Sequence, residues 1–170
     1  KGENIMADND NVEFKEGDYV VYPAHGVGQI NEIFSLHDTN FYKITFEKDR
    51  MRVSVPVMKA HATGLRKLIT EDRLKDAMET LRGRARIKRT MWSRRAQEYE
   101  TKINSGDPVA IAEVLRDLKR SNDVDDQSYS ERQIYQNALQ RLAREVAAIK
   151  KVDENKATEE LETILRKKVA

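Results

Sequence analysis

The sequence predicts an α+β protein: a small N-terminal antiparallel β barrel followed by a C-terminal all-α helical domain. Two observations carry this. Apolar residues recur with a period of two over residues 14–56, and with a period near 3.6 from about residue 70 onward. Turn residues separate the first set at spacings of roughly ten residues, which is the rhythm of short antiparallel strands. A chain of 170 residues accommodates one compact domain or two small ones. The division expected is a disordered tail over 1–12, a barrel over 13–60 and a helical domain over 61–170.

Within the barrel, Asp18–Tyr22, Val27–Phe34, Phe41–Phe46 and Met51–Val55 read as strands rich in β-branched and aromatic residues. Pro23-Ala-His-Gly26, His37-Asp-Thr-Asn40 and Glu47-Lys-Asp-Arg50 supply the turns. Tyr42, Ile44 and Phe46 alternate onto one face, as do Met51, Val53 and Val55. Gly26 and Gly28 are expected at tight bends or bulges. Pro56 ends the last strand, and residues 57–69, with Gly64, form the join.

The first helix is capped by Thr70, with Glu71 and Asp72 in its first turn and Leu74, Ala77, Met78 and Leu81 on its apolar face. Gly83 ends it. Trp92, Ala96, Tyr99 and Ile103 stripe the second helix. In Ser105-Gly-Asp-Pro108, glycine follows a helix end, aspartate caps the next helix and proline opens it. Ile111, Val114, Leu115 and Leu118 stripe that third helix. Residues 121–129 read as a polar loop, and Ser130-Glu-Arg-Gln133 fits a capping box. A long helix follows, striped by Tyr135, Ala138, Leu139, Leu142, Val146 and Ile149. Ala157, Leu161, Ile164 and Leu165 mark the last.

Composition narrows the function. With no cysteine there are no disulfides, thiolate nucleophiles or Cys-rich zinc sites, which suits a reducing, cytoplasmic location. No apolar run approaches the length that spans a bilayer, so no membrane partner is expected. The opening KGENIMADNDN carries acids and no apolar stretch, so it does not read as a secretory signal; Met6 stands as a candidate start. Phosphate-loop, dinucleotide-binding and zinc-protease motifs are absent, and Gly26-Val-Gly28 lacks the third glycine of a nucleotide cradle. His25, His37 and His61 show no ligand spacing. The expectation is a non-enzyme with no cofactor, no metal and no small-molecule substrate.

Charge is segregated. The net charge is only +2, yet Arg82–Arg95 holds seven basic residues and no acid, while acids gather at Asp123–Asp126 and from Asp153 to Glu162. Such a local positive field suits a polyanion and equally suits a solvated helix face. Within the run, Arg86, Lys88, Arg89, Arg94 and Arg95 are candidate phosphate contacts that position without reading sequence. Trp92, the only tryptophan, either anchors the bundle core or stacks on a base at an opened step; both roles can coexist.

Phe14–Gly28 (FKEGDYVVYPAHGVG), Arg52-Val-Ser-Val-Pro56, Gly64-Leu-Arg66, Trp92-Ser-Arg-Arg95, Ser105–Leu118 (SGDPVAIAEVLRDL) and Ser128-Tyr-Ser-Glu-Arg132 together resemble the CarD/CdnL family of bacterial transcription regulators, in order and with family-like spacing over about residues 13–165. The resemblance implies a Tudor-like barrel that docks on the RNA polymerase β subunit. It also implies a helical domain that contacts promoter DNA at the upstream edge of the transcription bubble. Trp92 matches the family's minor-groove wedge, Arg94 and Arg95 its neighbouring DNA contacts, and Arg132 a further basic contact. The polymerase surface would lie near Lys43, Met51, Arg52, Ser54 and Pro56. Leu36 and Ser54 stand where some members carry arginines for this docking, so apolar packing and strand-edge pairing would take a larger share. The implied function is stabilisation of the open promoter complex by a cytoplasmic, nucleoid-associated protein. A non-DNA-binding adaptor whose bundle meets an acidic protein partner is the competing reading. Transcription-repair coupling factors share the barrel type but carry motor motifs that this chain lacks.

Overall fold

The computed structural model describes residues 14–119 and 128–167. The expected tail over 1–12 and most of the loop over 121–129 lie outside the described residues. The chain divides into two compact units, one up to Lys67 and one from Leu68.

The first unit is a five-stranded antiparallel sheet: β1 (Tyr19–Tyr22), β2 (Gly26–Leu36), β3 (Thr39–Phe46), β4 (Arg52–Pro56) and β5 (Arg66–Lys67), in the order β4-β3-β2-β1-β5. One face buries Val20, Ile30, Tyr42, Ile44, Phe46 and Val55, and Phe14, Ala60 and Leu65 complete that core. The Phe14 amide donates to the Tyr42 hydroxyl at 3.2 Å, and their rings meet edge to face with centroids 5.7 Å apart. Alternation predicted in β3 is therefore its core face.

Two strands are longer than expected. His37 and Asp38, with φ of 49° and 61°, form a two-residue hairpin loop, so pairing continues to Leu36↔Thr39 instead of stopping at a four-residue turn. Left-handed conformation at both positions matches the twist of the flanking strands. Gly26 does sit at a bend, with φ +80°. Gly28 does not: it lies in a regular ladder opposite Val20 and Phe46, and a Cβ there would stand 2.8 Å from the Phe46 ring and 2.9 Å from Ile44. The glycine permits close approach of side chains across the core. The bulge falls instead between Ile30 and Glu32. Arg66–Lys67, within the expected join, pairs with Val20 and Val21, and Gly64 (φ +86°) turns the chain into it.

The second unit holds α1 (Glu71–Arg82), α2 (Trp92–Asn104), α3 (Pro108–Leu118), α4 (Tyr129–Lys150) and α5 (Glu154–Lys167). The Thr70 hydroxyl accepts from the Arg73 amide at 3.2 Å, and Asp107 Oδ1 from the Val109 amide at 3.1 Å, as caps should. The α4 cap is a correction: Ser128, not Ser130, accepts from the Glu131 amide at 3.2 Å, and Ser130 is already helical. Ser-x-x-Glu at 128–131 and Ser-x-x-Gln at 130–133 are the same pattern two residues apart, and the serine of the earlier one is the cap. Among the helices α3 lies deepest, with Ile111, Ala112, Val114, Leu115 and Leu118 buried between α1, α2 and α4. Glu145, buried on α4, accepts from the Ile69 amide at 2.9 Å and fixes the start of the unit.

Tyr135 on α4 is buried, and its hydroxyl has no hydrogen-bond partner among the described residues. Burial pushes this hydroxyl up to about 12, with Glu162 adding to the rise and Arg166 opposing it. Below pH 10 the phenol is neutral whether folded or not, so its contribution is constant. As pH rises from 10 toward 12 the unfolded chain ionises first and stability is lost. Tyr135→Phe is expected to remove that share of the alkaline loss. It is also expected to gain about 1 kcal/mol at neutral pH by deleting an unpaired buried hydroxyl. Urea unfolding of both proteins at pH 7 and across pH 9–12 checks it; parallel curves contradict it.

Candidate nucleic-acid interface

The basic run does not form one helix face. Arg82 ends α1, residues 84–91 are exposed and irregular, and Trp92 opens α2. Gly83 closes α1 through its amide on Thr80 O at 3.1 Å. The linker is then held by one buried carboxylate. Asp117 Oδ1 on α3 accepts from the Arg86 amide at 2.8 Å and from Arg116 Nε at 2.8 Å, and Arg116 Nη2 reaches Oδ2 at 3.4 Å. Lys88 pairs with Glu98 on α2 at 3.6 Å.

Trp92 is placed as the core-anchor reading expects. The residue is half-buried, and it packs against the bundle core. Its ring centroid lies 6.2 Å from that of Tyr99, and the Arg95 guanidinium sits 5.5 Å from the Trp92 ring and 5.9 Å from Tyr99. Arg95 Nη2 donates to the Tyr99 hydroxyl at 3.4 Å, while Arg95 Nε is buried with no acceptor among the described residues. The indole is thus clamped on its inner side by an aromatic ring and a fixed cation. Met91 beside it is 78% exposed and caps α2 with its backbone alone.

Arg86, Lys88, Arg94 and Arg95 line one cleft of about 500 Å³, together with Gln97, Glu98, Tyr99, Thr101, Lys102 and Asp117. Arg89 is exposed in the same linker but does not line the cleft. Arg132 is exposed one turn into α4 and does not line the cleft. Topology nonetheless brings its helix to their end of the bundle. Arg73 on Asp107 at 3.2 Å joins the starts of α1 and α3, so those helices run parallel. Lys119 over the Tyr135 ring at 5.7 Å joins the end of α3 to the start of α4, and Arg141 Nη1 reaches Ile103 O at 2.6 Å near the end of α2. The starts of α2 and α4 therefore lie at the end where α1 and α3 finish.

The candidate polymerase contacts form a separate group on the sheet. Lys43 pairs in register with Ser54, Thr45 with Arg52, and Phe41 with Pro56. All but Met51, which directly precedes β4, lie on β4 and its neighbour, and β4 is an edge of the sheet. Arg52 and Ser54 are exposed, Met51 and Pro56 are half-buried, and Lys43 reaches Glu32 at 4.0 Å. Leu36, 53% exposed, sits at the tip of the β2–β3 hairpin, and Met58, 96% exposed, follows Pro56.

Among the described residues there is no group of His, Cys, Asp and Glu that could hold a metal, and no helix is long and apolar enough to cross a membrane. Sequence reasoning missed Asp117 as the linker's anchor. Its signal was an acid embedded in the apolar stripe Val114-Leu115-Arg116-Asp117-Leu118.

Comparison with known proteins gives two family matches. The CarD C-terminal domain model matches residues 76–162, and the CarD-like/TRCF RID domain model matches residues 14–69. The Bacillus subtilis (strain 168) protein described as "Putative transcription factor YdeB" is 30% identical over 145 residues, covering 83% of this chain and 95% of that protein.

Proposed function

Because the chain belongs to the CarD family of transcription factors, we propose that its sheet unit docks on the RNA polymerase β subunit while its helical unit contacts promoter DNA at the upstream edge of the bubble and stabilises the open complex. The observation that supports the DNA half is the clamped, half-buried Trp92 beside Arg94 and Arg95, which form no ion pair among the described residues. Arginine and lysine on phosphates release counterions and supply affinity that carries no sequence information. Trp92 contributes only where a base step is already open, since parting a closed step costs a few kcal/mol. The protein shifts the closed–open equilibrium because it binds the open state better. Tethering to polymerase raises the local concentration, so weak intrinsic DNA affinity suffices. Docking of the β subunit uses the edge strand β4, where Arg52 and Ser54 are exposed.

Capture of the isolated β subunit by the full-length chain tests the division of labour. Lys43→Glu with Arg52→Glu is expected to reduce capture about tenfold or more, as charge reversal at two contacts costs more than 1.4 kcal/mol. Trp92→Ala is expected to leave capture unchanged. Capture lost with Trp92→Ala and kept in the edge variant assigns the halves the other way round and rejects the proposal.

A further inference from the structure

The cleft beside Trp92 concentrates more positive charge than one DNA phosphate can use. Arg86, Lys88, Arg94, Arg95 and Lys102 line it against two carboxylates, Glu98 and Asp117. Both carboxylates are engaged, Glu98 by Lys88 and Asp117 by Arg116 and the Arg86 amide. Lys102 is held by Glu113 at 2.8 Å. Arg86 and Arg94 form no ion pair among the described residues. A volume of about 500 Å³ lies within the range of small-molecule sites. Its walls are the linker at 86–88, the face of α2 carrying Arg94, Glu98, Thr101 and Lys102, and the end of α3. Lys102 stands ten residues along α2 from Trp92, about 15 Å at the helical rise.

We infer that this cleft binds a small oligophosphate, the pyrophosphate group of a nucleotide carrying the charge it fits. Phosphate groups of nucleic acid share the chemistry, but each is a diester with one charge, spread along a rod. An oligophosphate packs about three charges into one compact group with many acceptor oxygens, which suits a cleft lined by three arginines and two lysines. The cleft shares Arg86, Lys88, Arg94 and Arg95 with the proposed DNA surface. On that reading of the surface, bound oligophosphate and promoter DNA exclude one another, and the ligand is an antagonist of DNA contact.

Sodium pyrophosphate titrated calorimetrically into the full-length protein at 0.15 M salt is the test. Saturable 1:1 binding is expected, weakened about tenfold or more by Arg94→Gln with Lys102→Gln, which removes two charged donors. Glu98→Gln is expected to tighten binding roughly threefold, because it removes a negative wall and releases Lys88. A merely structural Glu98 would not produce a gain. Orthophosphate is expected to bind at least about tenfold more weakly, as fewer donors are engaged. Absence of saturable binding, or one affinity across parent, Glu98→Gln and the double variant, overturns the inference. Promoter DNA binding measured on the same samples separates the two readings. Pyrophosphate saturation without any DNA binding keeps the cleft and rejects the DNA surface, and DNA binding without pyrophosphate saturation does the reverse.

Discussion

Trp92→Ala is expected to shorten the lifetime of the polymerase–promoter open complex by about 5- to 150-fold, the effect of losing roughly 1–3 kcal/mol of base–aromatic stacking. The geometry sets this expectation. Tyr99 and the Arg95 guanidinium hold the inner side of the indole, so the ring enters the complex already oriented and little side-chain freedom is lost there. The same packing means that alanine also opens a gap at the rim of the bundle core. Large-to-small changes in fully buried sites cost about 3–5 kcal/mol for Trp, and this half-buried site should cost less. Trp92→Phe separates the two effects: it refills much of the gap and keeps a π face of smaller area. An intermediate lifetime with near-parental unfolding in urea is the expected pattern. If open-complex decay, followed after heparin challenge, is unchanged in Trp92→Ala, the wedge role is wrong. Phosphate contacts should behave differently. Arg94→Gln should weaken DNA binding across all sequences and lower the salt slope by about one unit.

How much of this was legible in the sequence depended on the length of each signal. Helix stripes such as Leu74-Ala77-Met78-Leu81 repeat over about two turns and project onto one face, so α1 matched its expected cap, core and end. The alternation Tyr42-Ile44-Phe46 was equally plain. Shorter signals misled or were silent. A two-residue strand such as Arg66–Lys67 has no period to read, and its place was set by pairing with β1, a contact far away in sequence. Gly28 looked like a turn residue because a glycine between strands usually is one; the Phe46 ring across the sheet explains it instead. The candidate DNA site was visible as a run of cations around one tryptophan. Its conformation was not, because whether 84–91 stays helical depends on where the Arg86 amide finds an acceptor. That acceptor is 31 residues away. Arg89 is a candidate by charge and Arg132 by family position, and the cleft gathers neither of them.

That acceptor carries the second large expectation. Asp117→Ala should destabilise the helical unit by about 3–5 kcal/mol, the usual range for removing one member of a buried ion pair. Asp117 and Arg116 are nearly inaccessible to solvent, so the substitution takes the carboxylate from a guanidinium that stays buried. It also frees the Arg86 amide at the centre of the basic linker. Asp117→Asn distinguishes these consequences, since the side-chain carbonyl can still accept from Arg86 while the charge is gone. Stability should fall in both variants, but amide exchange at Arg86 should accelerate strongly only in Asp117→Ala. DNA binding should then divide in the same way. Both variants keep every cation, so the salt slope, which counts phosphates neutralised, should hold. Affinity should drop mainly where the linker is loose, because a disordered linker must be ordered on binding at a cost of about 1–2 kcal/mol per residue fixed. An Arg86 amide that exchanges in the parent as fast as in an unfolded peptide means the linker is not anchored. The cations at 84–89 would then act as a flexible basic arm, with Trp92 as the one preorganised element of the interface.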